Sequence, residues 1–101
     1  MSAADITVVA RWQPKEGALG EVLNILAELR PKSLAEPGCQ GYEVYRSIDA
    51  PHSLLLVERY QHAAALEAHK QSDHYQSLVV QRVIPLLADR QVQLLQAREQ
   101  A

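Results

Sequence analysis

At 101 residues, with 48% hydrophobic and 22% charged positions, the chain has the size and composition of one globular domain, residues 1–101, whose core needs no covalent staples. Ten basic residues against twelve acidic leave a net charge of −2 with no basic run, which argues against nucleic acid as a partner. The single cysteine, Cys39, excludes an intrachain disulfide and suits the cytoplasm; Met1 to Asp5 lacks the basic start and apolar run of a leader, and the longest apolar stretch, Leu54 to Val57, is too short to cross a membrane.

Residues Ile6 to Trp12 are apolar and β-branched and stop at Gln13-Pro14, which predicts a first strand. From Ala18, the residues Leu19, Val22, Leu23, Leu26 and Leu29 recur at spacings of three and four and draw one apolar stripe on a helix. Pro31 is expected to kink or end that helix near Arg30, with a loose turn through Leu34. Glu36-Pro37-Gly38 reads as a turn. A second strand follows over Cys39 to Ser47, a hairpin over Asp49 to His52, and a third strand over Ser53 to Tyr60. A second helix is predicted from Ala63 to Gln71. Ser72-Asp73 then caps a third, about His74 to Leu87, whose inward stripe is Tyr75, Leu78, Val79, Arg82, Val83 and Leu86. Arg90 to Ala97 is the fourth strand. The order β-α-β-β-α-α-β, with short connections and right-handed crossovers, gives an α+β fold of ferredoxin-like topology with a four-stranded antiparallel sheet.

A sheet covered by helices on one face alone should alternate apolar with polar residues. Strand three carries Leu54, Leu56, Glu58 and Tyr60 on one face and Leu55, Val57 and Arg59 on the other. Strand one sets Ile6, Val8 and Ala10 against Thr7 and Val9. Both faces ask for cover, and a second copy of the sheet can supply it, so the expected assembly is a homodimer through the sheet face.

Three stretches then carry a family resemblance: Glu36-Pro37-Gly38-Cys39 leading to Tyr42, Asp49-Ala50-Pro51 leading to Leu54 through Tyr60, and Ala63 through Tyr75. In this order and spacing they resemble the antibiotic biosynthesis monooxygenase family of dimeric α+β barrels, and the likeness runs from Ile6 to Gln96. The family holds cofactor-free quinol and anthrone monooxygenases, haem-degrading oxygenases and an isomerase. The haem-degrading branch uses an asparagine on the first strand and a tryptophan ending the third. Here the only asparagine, Asn24, falls on the first helix, and Tyr60 ends strand three, so that branch fits poorly. The resemblance implies a cofactor-independent monooxygenase acting on a small quinol- or anthrone-like aromatic with O₂.

Four histidines invite a metal reading, but His62, His69 and His74 stand seven and five apart, with Asp73 beside the last, and this is not the spacing of paired helical ligands. No metal, haem or flavin is expected, and no glycine-rich phosphate loop is present. His62 and His52 read as solvated residues at a helix start and a hairpin tip. His69, on the inward side of the second helix, and His74, opening the third, are the candidate proton acceptors, each equally readable as a core or capping histidine. Tyr60 is the candidate for orienting the ring or its developing oxyanion. Tyr42, Leu56, Glu58 and Arg46 share the strand faces that would line the pocket, with Arg46 the expected ion partner of a buried Glu58. Cys39 reads as a small buried filler. Two other readings remain open: an isomerase of a small hydroxycarbonyl compound using the same histidines, and a non-enzymatic stress or ligand-binding dimer.

Overall fold

A computed structural model describes residues 5–98; Met1 to Ala4, read above for a leader, lie outside the described residues. The expected order is observed: β1 (Ile6–Pro14), α1 (Leu19–Leu34), β2 (Cys39–Arg46), β3 (Leu54–Tyr60), α2 (Ala63–Gln71), α3 (Tyr75–Val83), a short 3₁₀ turn (Ile84–Leu86) and β4 (Leu87–Gln96). The sheet runs β2-β3-β1-β4 with every neighbouring pair antiparallel, the split β-α-β arrangement of a ferredoxin-like α+β fold. No helix among the described residues is long and apolar enough to cross a membrane.

Three boundaries depart from expectation. Helix α1 runs through Pro31 to Leu34 instead of ending near Arg30. Proline forfeits only its own donor, its φ is helical, and its carbonyl still accepts from the Ala35 N–H, so the last turn closes. Helix α3 is wound as a π-helix, with the Ile84 N–H on the Val79 carbonyl five residues back. At about 4.4 residues per turn, Tyr75, Val79 and Val83 keep one face while Arg82, seven residues beyond Tyr75, swings to the opposite side. Arg82 is accordingly exposed, not part of the inward stripe. Finally, β4 begins at Leu87, where it pairs with Pro14 across a bulge, so the helical segment is shorter than its apolar pattern suggested.

The inner sheet face carries Val8, Ala10 and Trp12 from β1, Tyr42 from β2, and Leu54, Leu56, Glu58 and Tyr60 from β3, all buried beneath the helices. Ala10, Trp12, Tyr42, Leu54 and Leu56 pack on Val22, Ile25, Leu26 and Leu29 of α1 and on Leu78, Val79 and Val83 of α3, while Val8 and Tyr60 pack on Ala65 and Leu66 of α2. The inner side of β4 is left open: Val92 and Leu94, paired with Ala10 and Val8, are about half exposed. On the outer face Val9, Leu55 and Val57 are half-buried, while Tyr45 and Leu95 are exposed.

Two glycines shape the approach to the site. Gly17 turns the chain into α1 with φ of +81°, a conformation that side chains resist. Gly38 lies so close to α2 that a Cβ there would stand 2.4 Å from the Ala65 Cβ. This contact sets the Glu36–Cys39 turn against α2. The Gly38→Ala variant is expected to lose about 1–2 kcal/mol in urea unfolding, because overpacking against α2 outweighs the entropy gained by removing a glycine from the unfolded chain.

Candidate active site

The sequence sets four of the site residues on rigid elements: Tyr42 on β2, Glu58 and Tyr60 on β3, and His69 in the last turn of α2. Strand alternation turns Glu58 and Tyr60 to the inner face, and the β2–β3 register seats Tyr42 opposite Glu58. His69, 2% exposed, hangs over this row with its ring centroid 5.1 Å from Tyr60, 5.1 Å from Tyr75 and 6.4 Å from Tyr42. Ser72 closes α2 by donating to the His69 carbonyl and accepts from the Tyr75 N–H, so one hydroxyl joins the two helices beside the ring. The backbone of the turn before β2 is tied down by Cys39 N–H to the Glu36 carbonyl and Gln61 N–H to the Gly38 carbonyl.

That turn supplies Glu36, a residue that sequence reasoning treated only as turn chemistry. Its Oε2 accepts from His69 Nδ1 at 2.7 Å and from His74 Nε2 at 2.5 Å. With Nδ1 facing the Glu36 carboxylate, Nε2 is the ring nitrogen left to carry the lone pair whenever the ring is neutral, and it stands 3.6 Å from Glu58 Oε1. Glu58 Oε1 in turn accepts from the Tyr60 hydroxyl at 2.6 Å. The result is one continuous polar array from Tyr60 through Glu58, His69 and Glu36 to His74 inside an otherwise apolar layer. Burial, aided by the charge of Glu36, pushes the Glu58 carboxyl above the usual carboxylate range, against the Tyr60 hydrogen bond and the His69 and Arg90 charges that favour ionisation. Burial and the neighbouring Glu58 likewise raise the hydroxyls of Tyr42 and Tyr60 beyond the ordinary tyrosine range.

A cavity of about 300 Å³ opens beside His69. Its wall includes Val8, Ala10 and Trp12 of β1, Tyr42 and Glu58, Tyr75 and Val79 of α3, and the uncovered Arg90, Val92 and Leu94 of β4. Of the expected site residues, His69, Tyr42 and Glu58 line it. His74 and Tyr60 sit behind the wall, linked to it through Glu36 and Glu58. Leu56 is fully buried in the core, away from the cavity. The expected Arg46–Glu58 ion pair is not formed, because the strand register places Arg46 opposite Leu54, four residues from Glu58. There its Nε donates to the Pro51 carbonyl at the hairpin.

The other histidines follow their solvated readings: His62 caps α2 by accepting from the Ala65 N–H, and His52 is exposed at the hairpin. Cys39 is half-buried and its thiol, raised by burial, donates to the Gly41 carbonyl. The metal grouping considered from sequence is also replaced. Glu36, His69 and His74, with donor atoms all within 4.8 Å of one another, are the residues that could hold a cation, while His62 and Asp73 take no part. Ligands about 2.0–2.2 Å from a tetrahedral metal stand more than 3 Å apart, so separations of 2.5 and 2.7 Å are those of shared protons.

Comparison with known proteins agrees with this architecture. The family model described as antibiotic biosynthesis monooxygenase matches residues 5–81. The Mycobacterium tuberculosis protein Rv0793, named as a monooxygenase, is 36% identical over 70 residues, covering 69% of this chain and 68% of that protein. Escherichia coli YgiN, named as a quinol monooxygenase, is 34% identical over 80 residues, covering 68% of this chain and 76% of that protein. The solved structure of Rv0793 superposes with a TM-score of 0.87 at 32% identity over 96% of this chain and 98% of that one. A conserved protein from Methanosarcina mazei superposes with a TM-score of 0.89 at 26% identity, covering 95% of each chain.

The raised Glu58 carboxyl has a consequence for stability. At low pH both folded and unfolded chains hold this proton and it costs nothing. As pH rises past the unfolded value the unfolded chain alone ionises, so stability falls until the folded value is passed, and the loss is constant above it. Glu58→Gln, which keeps an acceptor for Tyr60, is free of this loss. Its urea midpoint relative to wild type is therefore expected to climb as pH rises above the ordinary glutamate value of about 4.3 and to level off once the folded carboxyl has ionised. A pH-independent difference between the two proteins would show that the carboxyl ionises as it does in water.

Proposed function

This chain belongs to the antibiotic biosynthesis monooxygenase family, and from that premise we propose that it oxidises a small quinol- or anthrone-like aromatic with O₂, without metal, haem or flavin. The observation that carries the reading is His69: a buried imidazole on the wall of an apolar cavity, with one nitrogen fixed by a carboxylate and the other turned toward Glu58. This is the arrangement of a general base with an orienting acid behind it.

In this reading the ring binds between β1 and α3, against Val8, Ala10 and Val79. His69 Nε2 takes the hydroxyl proton of a quinol, or of the enol form of an anthrone. Glu36 holds the tautomer and stabilises the imidazolium that forms, with His74 sharing the same carboxylate. The ring anion is electron-rich enough to pass one electron to O₂, and the ring radical and superoxide then join in a C–O bond. For a quinol, loss of water from the ring peroxide breaks the O–O bond and leaves a hydroxyquinone, so that C₆H₆O₂ and O₂ become C₆H₄O₃ and H₂O; for an anthrone the same loss of water turns R₂CH₂ and O₂ into R₂C=O and H₂O. The carbon gives up four electrons and O₂ accepts four. The proton needed at the departing oxygen comes from imidazolium or from the neutral Glu58 carboxyl, which its raised pKa keeps available. Tyr60 acts through Glu58 as a positioning residue. The apolar wall excludes water from the reactive anion.

The half-buried Val9, Leu55 and Val57 on the outer sheet face support a homodimer through that face, and the lone cysteine supports a cytoplasmic location for this single domain. An obligate interface of this kind buries more than about 2,000 Å². The Val57→Asp variant is expected to sediment as a monomer or to unfold, whereas a wild type that is already monomeric at micromolar concentration would overturn the dimer.

Catalysis is tested by oxygen uptake and quinone formation over a panel of hydroquinones and anthrones. Loss of the base in His69→Ala is expected to cost about 10²–10⁴-fold in turnover. Tyr60→Phe, which keeps the carboxyl, should cost far less than Glu36→Gln, which releases the ring. Uptake no faster than autoxidation in wild type would overturn the oxygenase. If solvent exchange of a substrate C–H proton were still catalysed, the same acid–base pair would belong to an isomerase.

A further inference from the structure

Proton transfer to His69 leaves an oxygen anion on the bound ring, and the roles assigned above give that anion no partner. A developing oxyanion in an apolar site is stabilised by a hydrogen-bond donor already in place. Three tyrosine rings surround His69, with centroids 5.1 Å (Tyr60), 5.1 Å (Tyr75) and 6.4 Å (Tyr42) from the imidazole. Their hydroxyl protons are not equally free. Tyr60 donates to Glu58 behind the cavity wall. Tyr42 stands opposite Glu58 in the sheet, where an ionised carboxyl would oppose a second negative oxygen.

Tyr75 differs from both. Its hydroxyl oxygen accepts from Arg90 Nη2 at 3.2 Å. A guanidinium can only donate, so this bond occupies a lone pair and leaves the hydroxyl proton unclaimed. No described residue accepts that proton. Tyr75 and Arg90 both stand on the cavity wall with His69. The tyrosine is held from two further sides: its N–H donates to Ser72 Oγ, and its ring meets the imidazole edge-on at 66°. Arg90 is also among the charges that favour ionisation of Glu58, so its field reaches the end of the cavity where the base lies.

We propose that Tyr75 is a further catalytic residue, the donor to the oxygen anion that forms when His69 removes a hydroxyl proton, and that Arg90 is its positioning residue. The assignment rests on the reading of His69 as the base. In this step the ligand O–H bond breaks, its proton forms the N–H bond at His69 Nε2, and the electron pair stays with the ring and its oxygens. Tyr75 donates a hydrogen bond to one of these oxygens and keeps its own proton. Arg90, bonded to the Tyr75 oxygen, draws charge from it and makes its O–H the stronger donor.

The test reads the anion without turnover. 4-Nitrophenol is a single-ring phenol whose neutral form and anion absorb in separate bands, and it suits a cavity of about 300 Å³. Titration with protein at fixed pH gives the ratio of bound anion to bound neutral dye. Wild type is expected to raise that ratio about tenfold or more above its value in buffer. Tyr75→Phe keeps the ring against His69 and is expected to lower the ratio by about tenfold. Its urea midpoint should stay with wild type, because the lost bond is solvent-exposed. Arg90→Gln should lower the ratio as well, but much less in the Tyr75→Phe background, since its effect passes through the hydroxyl. No binding of the dye, a wild-type ratio equal to that in buffer, a Tyr75→Phe variant with the wild-type ratio, or an Arg90→Gln effect of equal size in both backgrounds would each overturn the proposal. The two readings fail separately. A Tyr75-dependent anion without oxygen uptake on any quinol upholds the donor and removes the oxygenase. Quinol turnover at the wild-type rate in Tyr75→Phe does the reverse.

Discussion

One carboxylate oxygen holds the site together. Glu36 Oε2 accepts from imidazoles on two different helices, and it reaches them from the turn between α1 and β2. The three residues are separated by 33 and 38 positions in the chain, so ordering them relies on the whole fold. The turn must lie against α2, which the missing Cβ of Gly38 permits. Helices α2 and α3 must also meet at a fixed angle, which Ser72 arranges by bonding both. A partly buried carboxylate with two imidazole donors is stable where an unpaired one would not be. The same bonds settle which nitrogen of His69 is left for chemistry.

Behind that ring, Glu58 is placed by strand alternation in a layer that gives it little else to bond. Tyr60, two residues on, supplies a hydroxyl on the same face. Desolvation outweighs this hydrogen bond and the nearby positive charges, and the carboxyl is held toward its neutral form. An imidazole nitrogen free of the Glu36 bond and a carboxyl held toward its neutral form therefore stand side by side on one wall. Such a pair can remove a proton at one stage of a reaction and return one at another.

The cavity owes its existence to a mismatch between layers. The helices cover β2, β3 and β1 but leave the inner side of β4 open, so Val92 and Leu94 stay about half exposed beside the buried His69. The opening is lined by aliphatic side chains on one strand and cations at its rim. A flat hydrophobic ring can enter there, and a charge can remain at the water boundary.

Much of the fold was legible because it follows from short-range periodicity. The period-two runs in Ile6 to Trp12 and Leu54 to Tyr60 and the three-four stripe from Leu19 to Leu29 define strands and a helix without reference to anything distant. Even the two-faced strands could be read, since alternation assigns faces residue by residue. The errors arose where a local rule had a second solution. Pro31 can sit inside a helix end, and an apolar stripe fits a π-helix that turns Arg82 outward as well as an α-helix that turns it inward. In the site, His69 and Tyr42 were identifiable from residue type and face. Glu36 was not: its only signal was membership, with the stretch from Ala63 to Tyr75, in the segments that carry the family resemblance. The partners of Glu58 were likewise hidden, because Arg46 and Tyr42 share a strand face and only the register against β3 decides which one stands opposite. Sequence by itself determined the elements, their faces and the candidate acid–base residues, all of which depend on neighbours within a few positions. Tertiary structure alone decided which carboxylate met which imidazole, because hydrogen bonds a few ångströms long join residues whose separation along the chain carries no information about their distance in space.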